Sequence, residues 1–113
     1  MAKLLIVDDE VDVREFAKNF FRKRGVTVFT AANGEEALGI VSAETPDLVL
    51  LDIRMDGMDG LEATRAITQQ YPGIRVVIVT QYADRVLRDE AIAAGAVGFV
   101  SKSSLQDLSV HIV

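Results

Sequence analysis

Short apolar runs alternate with helical patterns of apolar and polar positions along the chain. Continuous apolar runs occupy residues 4–7, 48–51 and 76–79, and such runs are typical of parallel strands buried on both faces. Two β-branched and aromatic stretches, residues 26–30 and 97–100, predict two more strands. We therefore expect five strands.

Helical patterns fill the spaces between these strands. The first helix carries an apolar stripe that we expect in the core: Val13, Phe16, Ala17, Phe20 and Phe21. The boundary signals are Gly25 after the first helix, Asn33 before the second, Asp59 with Glu62 at the third, Asp84 and Gly95 around the fourth, and Ser103 with Gln106 at a fifth. Strands alternating with helices predict a doubly wound α/β domain, a parallel sheet with helices on both faces.

Polar residues stand where the predicted strands end. Asp8 and Asp9 follow the first strand, Asp52 the third and Thr80 the fourth, while the fifth runs into Lys102. Ligands of open parallel sheets bind beyond the carboxyl ends of the strands. If the first and third strands are neighbours, the three aspartates converge there, although the pattern alone does not fix that order.

Three carboxylates in one cleft repel each other by several kcal/mol unless a cation offsets them. Oxygen ligands alone favour Mg²⁺, and Lys102 would add a fixed positive charge. A carboxylate beside such cations can accept a phosphoryl group. Asp52, alone at its strand end before a glycine-containing loop, is the better nucleophile, and Asp8 and Asp9 are the better metal ligands.

Composition narrows the choice of function. The 113 residues suit a single domain, residues 1–113. With 12 basic and 17 acidic residues the net charge is −5, which disfavours nucleic-acid binding. Cysteine is absent and His111 is the one histidine, so zinc sites and serine–histidine catalysis are disfavoured. The lack of a long apolar run or a signal peptide predicts no membrane span and a cytoplasmic location.

Four segments in order, LLIVDDE, LVLLDIRMDGMDG, VVIVT and AGAVGFVSK, give the chain a family resemblance. It resembles the receiver domain of a bacterial two-component response regulator over essentially its whole length. The resemblance implies a flavodoxin-like (βα)5 sandwich whose parallel strands run in the order 2-1-3-4-5. We take the order from that fold type.

The resemblance also implies a role for each matching residue. Asp52 would be the phosphoacceptor, Asp8, Asp9, Asp52 and the backbone carbonyl of Arg54 would hold Mg²⁺, Thr80 and Lys102 would contact the phosphoryl group, and Thr80 with Phe99 would form the switch. Taken singly, Asp8 and Asp9 are equally well explained as helix caps and Phe99 as core packing.

The implied activity is signalling rather than enzymatic turnover. A phosphohistidine on a sensor histidine kinase or a histidine phosphotransfer protein would donate the phosphoryl group, and the receiver would catalyse its own phosphorylation and dephosphorylation. The face formed by the fourth helix, fifth strand and fifth helix would then change to control an output domain or partner. The resemblance allows a receiver homodimer through that face, and implies no direct contact with nucleic acid or membrane.

Other functions fit the residues less well. A flavin-binding module would need a phosphate cradle where the acidic residues 8–10 stand, and an aspartyl-phosphate phosphohydrolase would need an acid where Arg54 stands. A receiver that works without phosphorylation would not need the complete residue set.

Three departures from the family pattern, Asp56, Gln81 and Ser103, bear on reaction rates rather than on the assignment. The start of the first helix, including Arg14, is an expected exposed face that suits kinase docking.

Overall fold

The structure, a computed structural model, describes residues 2–53, 60–80 and 85–101, with only the backbone of Ser101. Its strands are β1 (Lys3–Val7), β2 (Thr27–Ala31), β3 (Leu48–Asp52), β4 (Arg75–Thr80) and β5 (Gly98–Ser101). Its helices are α1 (Val11–Arg22), α2 (Gly34–Glu44), α3 (Gly60–Gln70) and α4 (Arg85–Ala93). The five expected strands are confirmed, whereas the fifth predicted helix lies outside the described residues, as do Asp59 and Asp84.

The five strands form one parallel sheet in the order β2-β1-β3-β4-β5, which confirms the predicted fold. In its register, Val7 of β1 stands between Ala31 of β2 and Leu51 of β3. Asp52 pairs with Val79, and Thr80 pairs with Ser101. The carboxyl ends of β1, β3 and β4 therefore lie side by side at one edge of the sheet.

Two apolar layers cover the two faces of the sheet because successive strand residues point to opposite sides. In β1, Leu5 and Val7 join the layer beneath α2 and α3, whereas Leu4 and Ile6 join the layer beneath α1. All four side chains are buried. A strand buried on both faces has no polar position inside it, and this explains the continuous apolar runs of the sequence.

The ends of the helices follow the predicted chemistry. The Asn33 side chain caps α2 by accepting a hydrogen bond from the Glu36 amide at 2.9 Å. Gly95 follows α4 with a φ of 106°, a conformation that favours glycine. The second strand starts one residue later than expected, because the Val26 amide donates to the Phe21 carbonyl and so closes the end of α1.

One core prediction is wrong: Phe16 is not part of the core. Phe21 is 1 % exposed, but Phe16 is 56 % exposed and stacks on Phe20 with ring centroids 6.2 Å apart. Each helical residue turns the side chain by about 100°, so position 16 points well away from the buried direction of Ala17 and Phe21. The Arg24 guanidinium lies 3.6 Å from the Phe20 ring centroid and helps cover it.

We expect these two phenylalanines to differ sharply in their contribution to stability. Phe21→Ala should lower the free energy of unfolding by about 3–5 kcal/mol, because it empties a closed part of the core. Phe16→Ala should cost less than about 1 kcal/mol, as is usual for an exposed position. Urea unfolding of both variants measures the difference, and equal losses would contradict the placement of α1.

Candidate functional site

The candidate site lies at the carboxyl ends of β1 and β3. Because Val7 pairs with Leu51, the residues that follow them, Asp8 and Asp52, come at neighbouring strand ends, where adjacent backbones run about 5 Å apart. Both residues also line the same small hollow beside Val13 and Ala17 of α1. The predicted convergence of these two aspartates is therefore present in the fold.

Both carboxylates are almost fully removed from solvent. Asp8 is 3 % exposed and Asp52 is 6 % exposed. Burying like charges side by side is costly, because solvation is lost and repulsion grows as the effective dielectric constant falls. Each aspartate does have interactions within the protein, yet two acidic groups in one place still favour a cation or a cationic side chain beside them.

Three acidic side chains at the end of β1 form a group that can hold a metal ion. One carboxylate oxygen from each of Asp8, Asp9 and Glu10 lies within 4.8 Å of the others. A set made only of carboxylate oxygens, two of them exposed, fits Mg²⁺, which keeps several waters and needs few protein ligands. Asp52 is not a member of this group and lies at the adjacent strand end.

Glu10 is a candidate ligand that the sequence analysis missed. It occupies the N-cap position of α1 but makes no side-chain cap hydrogen bond. Its side chain lies instead with the two aspartates. Three consecutive acidic residues after a strand were the available signal.

Hydrogen bonds fix the turn that carries these acidic residues. The Asp8 amide donates to the Ala31 carbonyl at 3.1 Å, and Asp8 Oδ1 accepts from the Glu10 amide at 2.9 Å. Arg14 donates from Nη1 to the Asp8 carbonyl at 2.7 Å. We expected Arg14 on an exposed docking face, but it is half-buried and brings a positive charge next to the acidic group.

Thr80 ends β4 next to the strand that carries Asp52. It is 1 % exposed and has an interaction within the protein. Its register partner is Ser101, so Lys102 comes directly after the neighbouring strand end. The side chains of Lys102, Arg54, Asp56, Gln81 and Ser103 lie outside the described residues. Phe99 is partly buried against the apolar layer beneath α2 and α3, which fits packing as well as a switch role.

The start of α3 packs directly on the strand end that carries Asp52. The Gly60 amide donates to the Ile53 carbonyl at 3.0 Å. A Cβ atom at Gly60 would lie 2.6 Å from the Ile53 Cα and closer still to the Asp52 carbonyl oxygen. Only a residue without a side chain fits here, so Gly60 fixes how closely α3 approaches Asp52.

Comparisons with known proteins agree with this geometry. Residues 4–113 match the family model described as the response regulator receiver domain. Sporulation initiation phosphotransferase F of Bacillus subtilis is 42 % identical over 100 residues, which are 88 % of this chain and 81 % of that protein. The transcriptional regulatory protein LnrK of the same organism is 36 % identical over 115 residues, which are 100 % of this chain and 52 % of that protein.

A structural comparison gives the same fold. The chemotaxis protein CheY4 of Vibrio cholerae superposes with a TM-score of 0.92 at 28 % identity, covering 100 % of this chain and 99 % of that chain. The chain thus spans most of some relatives and about half of others.

The chain belongs to the response regulator receiver family. The predicted recognition, fold and general function are confirmed: domains of this family act in two-component phosphorelays as signalling domains. They interact with histidine kinases or phosphotransfer proteins and generally use Mg²⁺. Among the described helices, none is long and apolar enough to cross a membrane.

Adding a methyl group at Gly60 should disturb the site and the fold together. Gly60→Ala should lower the free energy of unfolding by at least about 2 kcal/mol, because α3 must move away from Asp52. Gly39 in α2 is a matched control, since a Cβ there meets nothing within 4 Å. Gly39→Ala should stabilise the protein by about 0.5–1 kcal/mol. Urea unfolding tests both, and a neutral Gly60→Ala would contradict the close approach.

Proposed function

We propose that Asp52 is the residue that accepts the phosphoryl group. The observation that carries this proposal is its burial at 6 % exposure, at the end of the strand next to Asp8. A nearly buried carboxylate held beside a second one has few conformations available, so a donor meets it in a fixed geometry. The single domain of residues 1–113 would then be a phosphoacceptor that does not turn over a small-molecule substrate.

The transfer moves one phosphoryl group between two side chains. A carboxylate oxygen of Asp52 forms the new P–O bond while the N–P bond of the donor's phosphohistidine breaks. The imidazole nitrogen leaves with the bonding electron pair and takes up a proton from solvent. The partner is therefore a protein that carries a phosphohistidine, either a sensor histidine kinase or a phosphotransfer protein. We place the reaction in the cytoplasm.

The acidic group at the end of β1 is proposed as the Mg²⁺ site. Asp8 and Asp9 would hold the ion together with Asp52 and the carbonyl of Arg54, and Glu10 lies close enough to contact its waters. The ion would neutralise charge on the transferring oxygens. The hydrogen bond from Arg14 to the Asp8 carbonyl supports this assignment, because it holds the turn in place before any ion binds.

Thr80 and Lys102 are proposed to contact the phosphoryl group once it is on Asp52. The Thr80 hydroxyl can donate one hydrogen bond and the Lys102 ammonium can pair with a phosphoryl oxygen. The strand pairing of Thr80 with Ser101 supports the placement of Lys102 near Thr80. This set would let the domain catalyse its own phosphorylation and dephosphorylation.

Phe99 and Thr80 are proposed as the switch pair. Phe99 is only partly buried, and its neighbour strand β4 ends in Thr80. If Thr80 turns toward a phosphoryl group, the side chain of Phe99 can take up the space it leaves, and the face formed by α4, β5 and the fifth predicted helix changes. An output domain, a partner or a second receiver would read that face.

Phosphorylation by a small donor tests the acceptor assignment. Incubation with acetyl phosphate and Mg²⁺ should add one phosphoryl group to the protein, detected by intact-mass spectrometry, and Asp52→Asn should abolish it because the amide is a poor nucleophile. Asp89→Asn in α4 is the control and should be labelled like the wild type. Labelling that persists in Asp52→Asn would exclude Asp52, and steady release of phosphate over many turnovers would favour a phosphohydrolase instead.

Titration with Mg²⁺ tests the metal assignment separately. Asp9→Asn should weaken Mg²⁺ binding at least about tenfold. Even the loss of a residue that only hydrogen-bonds to a metal ligand typically lowers the metal affinity by about that factor. Asp12→Asn, also an acidic residue near the start of α1, should leave the affinity within about twofold. Isothermal titration calorimetry measures both, and equal affinities for the two variants would rule out Asp9 as a ligand.

A further inference from the structure

Among the described residues, the burial of α4 is concentrated near its C-terminal end. Of its nine residues only Ala91 is buried, and Leu87 is half-buried. The residues just after the helix are better fixed: Ala94 and Ala96 are buried, and the Ala96 amide donates to the Ala91 carbonyl at 3.0 Å. Low burial makes local opening of a helix inexpensive, so the contacts of the turn after α4 matter for how firmly the described part of this helix is held.

Thr68 of α3 reaches this turn. Its hydroxyl lies 2.9 Å from the Ala94 carbonyl oxygen and also 2.9 Å from the Thr64 carbonyl oxygen of its own helix, with the Arg65 carbonyl at 3.3 Å. A threonine hydroxyl has one proton to donate. The proton can therefore form a full hydrogen bond to the Ala94 carbonyl or to the Thr64 carbonyl, but not to both.

The backbone of the turn also presses on Thr68. A Cβ atom at Gly95 would lie 2.6 Å from Thr68 Oγ1, so glycine is needed here for close approach as well as for its φ of 106°. Thr68 thus lies against Ala94 and Gly95, the two residues that follow α4.

The same face of α3 leads back to Asp52. Thr64, one turn before Thr68, is fully buried and donates to the Gly60 carbonyl at 2.7 Å. Gly60 rests against the Asp52 carbonyl. From Gly60 to Thr68 the helix rises about 12 Å, so one threonine-lined face joins the strand end of Asp52 to the end of α4.

We propose that Thr68 is a releasable latch for α4. Its hydroxyl holds the end of α4 on α3 by donating to Ala94, and releases it by donating to Thr64 instead. Release costs the contact with the Ala94 carbonyl, but because the hydroxyl keeps the Thr64 carbonyl as an acceptor it does not also leave a donor unsatisfied. The link to phosphorylation rests on the proposed function. When Asp52 is phosphorylated and the face containing α4 changes, the Thr68–Ala94 hydrogen bond breaks and the latch opens.

Hydrogen–deuterium exchange of the full chain tests the latch without phosphorylation. Thr68→Val keeps the side-chain shape and loses the hydroxyl, whereas Thr68→Ser keeps the hydroxyl. Thr68→Val should speed exchange in the peptide covering residues 91–97 about fivefold, the ratio that corresponds to one ordinary hydrogen bond. Thr68→Ser and Thr27→Val, a change at an exposed threonine of β2, should exchange like the wild type.

Two results would overturn the latch. One is equal exchange of residues 91–97 in the valine and serine variants, which would make the hydroxyl irrelevant. The other is a rise spread evenly over all helices, which would mean a general loss of stability. If Thr68→Val does not fold, Thr68→Ala compared with Thr68→Ser makes the same distinction between a lost and a retained hydroxyl.

A second arm adds acetyl phosphate and Mg²⁺. In the wild type, phosphorylation should speed exchange of residues 91–97, and in Thr68→Val the further change should be less than half as large, because the latch is already open. An equal further change in both proteins would disprove the link to Asp52. If the wild type takes up no phosphoryl group, the proposed function fails, while the unphosphorylated comparison still decides the latch.

Discussion

The parallel register of β1 against β3 is the constraint on which the site depends. It sets Val7 opposite Leu51, and the residue that follows each of them is a buried aspartate. The pairing of these central strands fixes the backbone positions from which both side chains start. The fold therefore places two buried acidic groups at neighbouring strand ends, an arrangement that favours positive charge beside them.

The elements around this pair keep it rigid from two sides. On one side, Arg14 and the Glu10 amide hold the turn after β1 through the carbonyl and the carboxylate of Asp8. On the other, Gly60 brings α3 into contact with the Asp52 backbone. Fixed surroundings favour transfer chemistry, since little reorganisation is needed when a donor arrives. The helix α4, in which only Ala91 is buried, packs on the domain through less of its surface.

The sequence by itself determined the fold class and the polar residues that stand at the strand ends. A strand buried on both faces needs a continuous apolar run in the sequence. The three strands around residues 4–7, 48–51 and 76–79 could therefore be located without coordinates. Asn33 and Gly95 work through local backbone chemistry, and they lie where the sequence predicts. The end of each apolar run also identified the polar residue that follows the strand.

Tertiary structure decided what depends on contacts between distant segments. The apolar stripe of α1 includes Phe16, but the helix packs on the sheet through Ala17 and Phe21, and Phe16 points away from that direction and stays exposed. Glu10 and Arg14 are near Asp8 in the sequence, but only the geometry of the turn after β1 shows that their side chains lie beside it. The approach of Thr68 to Ala94 joins residues 26 positions apart. Such contacts depend on how the helices pack on the sheet, and the local periodicity of the sequence does not specify that packing.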